Sequence, residues 1–80
     1  MTTARLNNAR GRALWANAEY LKAQTHAYRS AAAQAEIIGE VKIANDWRNK
    51  AKELEQKAFD DYKEARELGI YNDPNEESVE

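Results

Sequence analysis

Ile37-Ile38-Gly39-Glu40-Val41-Lys42-Ile43-Ala44-Asn45-Asp46 is the stretch that decides the fold. Upstream of it, apolar residues recur at alternating intervals of three and four, through Leu6, Ala9, Ala13, Ala16, Tyr20, Ala23, Ala27 and Ala31. That spacing is one face of a long helix. Gly39 follows two isoleucines directly, where helices commonly end on a residue in the left-handed conformation. The phase of the repeat also changes there. Residues 41, 44 and 47 give two successive intervals of three, and a straight helix would carry its stripe off line at that point. A chain reversal within residues 38–46 accounts for both signals, with Asn45 or Asp46 as an alternative start for the second helix. An uninterrupted coiled-coil rod is the competing reading. The expected architecture is all-α: a two-helix antiparallel hairpin, with helices over about 3–38 and about 41–68, that self-associates into a four-helix bundle or a larger helical assembly. The hairpin domain spans 1–71, and 72–80 reads as a disordered acidic tail behind Pro74.

Composition supports this reading and narrows the function classes. The 80 residues suffice for one domain, and the helix formers Ala, Glu, Lys and Arg dominate. A core this small supplies about 3–5 kcal/mol of net stability, so folds of this size usually carry a staple. With no Cys and a single His, neither a disulfide nor a closed structural metal site can serve. Oligomerisation is the remaining device, hence the expectation of a homo-oligomer. No apolar run is long enough to cross a membrane and no signal-peptide pattern is present, so the expected location is cytoplasmic. The net charge of −2 favours no partner class, but its distribution is uneven. Arg5, Arg10, Arg12, Lys22 and Arg29 outnumber Glu19 and Glu36 in the first helix, while Asp73, Glu76, Glu77 and Glu80 crowd the tail. An antiparallel hairpin sets the basic start beside the acidic end.

The second helix has one narrow stripe: Ala44, Trp47, Ala51, Leu54, Ala58, Tyr62 and Ala65. The first has two. Leu14, Ala18, Leu21, Tyr28, Ala32 and Ala35 form a second row, and together the rows cover about half the helix circumference at ~100° per residue. An arc this broad predicts contact with more than one helix. Arg10, Asn17 and Gln24, seven residues apart within that arc, are polar residues of the kind that specify register in helix seams. With Tyr20 and Tyr28 they form the expected oligomer interface; a buried polar ligand pocket is the alternative.

Trp15 falls on the far side from the Leu6–Ala31 stripe, among Asn8, Gly11, Arg12, Glu19, Lys22 and His26. An exposed indole in a polar field calls for a covering partner. Arg12, Trp15, Lys22, His26 and Arg29 are therefore the expected partner-binding strip, with Gly11 leaving room beside the indole. Self-association through Trp15 competes with this reading. So does a nucleic acid or anionic nucleotide, whose phosphates the cations would meet and whose bases the indole would stack.

No nucleophile–base pair, adjacent-turn metal pair or phosphate-binding glycine loop occurs, so the expectation is a non-enzyme without cofactor or metal. In architecture the expected hairpin resembles the dimeric four-helix bundles that bind RNA. It is also similar to the secreted helical-hairpin dimers of the type VII system, although Ile37-Ile38-Gly39-Glu40 replaces their Trp-x-Gly turn. In size, helical character and lack of catalytic residues it resembles small phage-encoded inhibitors of host defence proteins. The expected action is that of an inhibitor or adaptor that binds and blocks a host macromolecule, most readily a protein. A nucleic-acid or nucleotide-binding bundle is the alternative, and a structural scaffolding subunit the third.

Overall fold

A computed structural model describes residues 3–71. It contains two helices, α1 (Thr3–Ile37) and α2 (Val41–Glu67), packed against each other as an antiparallel hairpin. The expected acidic tail, 72–80, lies outside the described residues.

The reversal is made by Gly39, whose φ of +85° is the left-handed conformation that L side chains avoid. The Gly39 N–H donates to the Glu36 carbonyl at 3.0 Å and the Glu40 N–H to the Ala35 carbonyl at 2.8 Å. These are the two bonds of a Schellman cap, and they satisfy carbonyls that the end of α1 would leave orphaned. α2 begins immediately, at Val41, so Asn45 and Asp46 lie within its first turns and do not start it. A Cβ on Gly39 would touch nothing, so its requirement is backbone conformation alone. Gly39→Ala should cost about 1 kcal/mol in urea denaturation, the left-handed penalty for a residue with a Cβ.

Gly69 repeats the device at the end of α2. Its φ is +98°, its N–H donates to the Arg66 carbonyl, and the Ile70 N–H donates to the Ala65 carbonyl, both at 2.9 Å. The cap turns Ile70 back onto α1, where it is buried over Gly11. A Cβ added at Gly11 would lie 2.7 Å from Ile70 Cγ1. Gly11 thus makes room for the returning chain, not for the indole of Trp15.

Most of the α2 stripe faces the seam as expected, with Ala44, Ala51, Leu54, Ala58 and Ala65 buried there; of its two aromatics, Tyr62 is half-buried and Trp47 lies exposed outside the seam. On α1 the second row wins. Gly11, Ala18, Thr25, Ala32 and Ala35 are buried, and Leu14, Trp15, Leu21 and Tyr28 are half-buried. The Leu6–Ala31 row, read as the primary stripe, faces away from α2: it is exposed from Leu6 to Ala27 and half-buried only at Ala31. The reason is apolar area. Facing α2 with Leu14, Leu21, Tyr28 and Trp15 removes far more surface from water than facing it with alanines. The Thr25 hydroxyl, buried in the seam, donates to the Leu21 carbonyl at 2.9 Å and so costs little there. Because alanine lines most of the seam, no large side chain among the described residues is fully buried.

Candidate binding groove

Charged and amide side chains along both edges of the seam hold the register. On one edge, Arg10 Nη2 donates to Glu64 Oε1 at 2.9 Å and Asn17 Nδ2 donates to Asp61 Oδ2 at 2.6 Å. On the other, Arg29 Nη2 donates to Glu55 Oε2 at 2.7 Å, and Arg48 pairs with Glu36 near the turn. All are partly exposed, so each pair contributes about 0–1 kcal/mol and chiefly selects alignment. Arg10 and Asn17, expected within an oligomer seam, are engaged inside one chain. Gln24 donates to the Tyr20 hydroxyl at 2.9 Å on the outer surface of α1, and Tyr28 packs in the hairpin seam.

Trp15 corrects the reading of its helix. Its ring meets Tyr62 of α2 edge-on, with centroids 4.8 Å apart and planes at 75°. This is the preferred geometry for an aromatic pair. Its Nε1 is buried without a hydrogen-bond partner. The indole therefore packs within the hairpin and does not look outward from a polar field.

Beside this aromatic pair the two helices bound a groove of about 360 Å³. Lys22, Thr25, His26 and Arg29 line it from α1, and Glu55, Ala58, Phe59, Tyr62 and Arg66 from α2. Three of the five residues expected to meet a partner, Lys22, His26 and Arg29, are thus brought together. Arg12 is exposed but does not line the groove, and Trp15 reaches it only through Tyr62. The sequence reading missed the α2 wall. Phe59 was legible as the one large aromatic of α2 lying just past a seam alanine, and it is 64 % exposed. The groove thus offers an apolar floor, one large exposed ring and a rim with more cations than anions.

A second apolar surface surrounds the turn, where Ile37, Ile38, Val41, Ile43 and Trp47 are exposed. Four aliphatic side chains within seven positions of a tight reversal cannot all reach a seam two helices wide. Their clustering was the available signal for this patch.

Among the described residues, no group of three or more His, Asp or Glu is arranged to hold a metal, and no helix is long and apolar enough to cross a membrane. No protein-family model, curated protein or solved structure matches this chain.

Proposed function

We propose that this is a non-enzymatic binding protein, an inhibitor or adaptor that blocks or tethers another protein by engaging one of its acidic segments in the α1–α2 groove. The observation that carries this reading is Phe59. A ring this exposed on a small domain is costly to leave in water, and it stands where Lys22, His26 and Arg66 surround an apolar floor. Aromatic and cationic residues around a concave apolar centre are the composition of interface hot spots. A partner segment supplying a carboxylate beside an apolar side chain would satisfy both parts of the groove. Arg29 brings its charge already oriented by Glu55, and a competing carboxylate would have to displace that contact.

Peptides selected on the protein from a random displayed library test this directly. They should be enriched in Asp or Glu next to an apolar residue, and Phe59→Ser or Lys22→Glu should weaken them at least tenfold while helicity is unchanged. Selected peptides that bind the Phe59→Ser variant as tightly as the parent would overturn the proposal.

A second reading, single-stranded nucleic acid or an anionic nucleotide, has its own support, since Phe59 and Tyr62 present ring surface between cations. Salt separates the two. Nucleic-acid affinity falls steeply with salt as counterions are released, whereas a contact centred on Phe59 responds weakly.

A further inference from the structure

We infer that the outer face of α1, opposite the hairpin seam, docks a second copy of this chain in antiparallel orientation. The face begins with Leu6, passes Tyr20 at its centre and ends with Ile37, and these three are 56 %, 60 % and 83 % exposed. The three-and-four repeat continues through Ser30 and Gln34 to Ile37, so ten successive positions carry no charge. In a chain that is 32 % charged, the most regular apolar repeat is left in solvent by the fold of one copy. Such a repeat is the seam of a coiled coil.

The pattern selects the occupant and its direction. A two-fold axis between Tyr20 and Ala23 sets each Tyr20 against Ala23 of the second copy, and Leu6 against Ile37 of the second copy. Large side chains then meet small ones at the centre, and large apolar residues close both ends. On one flank Glu19 lies beside His26 of the second copy, an acidic group facing the side chain that can meet it as a donor. On the other flank Asn17, which donates to Asp61 of its own chain, lies beside Gln24 of the second copy, a neutral contact with no like-charge cost. A parallel pairing would stack Tyr20 on Tyr20 between layers of alanine, wedging apart helices that alanine requires to approach closely. It would also set Arg5 near Arg10 of the second copy, a like-charge contact.

The face runs about 46 Å from Leu6 to Ile37 at ~1.5 Å per residue, and is ~10 Å wide. Two such faces together give ~900 Å², just under the ~1,000 Å² that a specific interface needs, so the dimer is expected to be weak and concentration-dependent. His26 lines the groove as well as one flank of this face, and the dimer rests otherwise on residues the groove does not use.

Sedimentation equilibrium from sub-micromolar to millimolar protein should show a monomer passing to a dimer. Ala23→Glu should shift that equilibrium at least tenfold toward monomer with helicity retained. The chain lacks Cys, so single cysteines report direction cleanly. Ala9→Cys mixed with Gln34→Cys should oxidise mainly to the mixed disulfide, because those positions face each other in the antiparallel register. A wild type that stays monomeric throughout, an Ala23→Glu variant that dimerises as before, or Ala9→Cys pairing mainly with itself would each overturn the inference. If Ala23→Glu loses helicity, the disulfide partition alone decides.

Discussion

Trp15→Ala should lower the unfolding free energy by about 2 kcal/mol, read as a fall in the urea midpoint followed by far-UV circular dichroism. Truncating a fully buried Trp costs about 3–5 kcal/mol, and half-burial here scales that down. The edge-on contact with Tyr62 accounts for about 0.5–1.5 kcal/mol of the loss. Against a total of about 3–5 kcal/mol for a domain of this size, the variant would retain only a thin margin. Trp15→Phe is the informative control. It keeps a ring against Tyr62 and removes a buried N–H that lacks a partner, a group whose desolvation costs about 1–3 kcal/mol. That gain offsets the lost indole area, so Trp15→Phe should lie within about 1 kcal/mol of the parent. A Trp15→Ala variant as stable as the parent would mean that the indole is not part of the hairpin seam. The outcome bears on function too, because an indole that holds the fold cannot be removed to test partner binding without confounding the two. Phe59, exposed at the groove, can be.

Trp15 also shows where the sequence was legible and where it was not. The reversal at Gly39 could be read because its cause is local: two isoleucines, then a glycine, then a change of phase, all within a few residues. The α2 face could be read because α2 has one narrow stripe flanked by charge, leaving a single way to turn it. α1 has two apolar rows, and periodicity measures regularity, not area. The Leu6–Ala31 row is the more regular, and so it read as the seam, which put Trp15 on the wrong side. The row that faces α2 is less regular but carries Leu14, Leu21 and Tyr28, with Trp15 at its edge. Weighting each position by side-chain area would have chosen it. The groove was half visible for a related reason. Lys22, His26 and Arg29 share one helix and could be grouped by spacing, whereas Phe59, Tyr62 and Arg66 join them only once the hairpin's register is known. That register depends on pairs such as Arg10 with Glu64 and Arg29 with Glu55, which lie 54 and 26 positions apart and leave no local trace.

Gly11→Val should cost about 2 kcal/mol, through a clash with a residue that follows α2. Helix propensity alone predicts a slight gain, since Gly is among the poorest residues in a helix interior. Packing opposes it. The added Cβ would stand 2.7 Å from Ile70 Cγ1 and 3.4 Å from Leu68 Cβ, and valine's branches would press further into the same space. Overpacking of this kind costs about 1–3 kcal/mol and outweighs the propensity term by several-fold. Ile70 can escape only by lifting from α1, which would expose its side chain and loosen the Gly69 cap that aims it. Ile70→Ala alone should cost about 2 kcal/mol, the low end for a buried isoleucine beside a helix end. Combined, the two changes should cost clearly less than their separate effects added together, because alanine at position 70 vacates the space that valine at position 11 needs. Residues in direct contact give coupling energies of about 0.5–3 kcal/mol in such cycles, whereas distant residues give nearly none. Strict additivity would therefore mean that Ile70 does not pack over Gly11, and that the chain beyond α2 leaves the hairpin without returning to it. A measured coupling would establish that Gly11 and Ile70 act together, closing the open end of the hairpin as Gly39 closes the other.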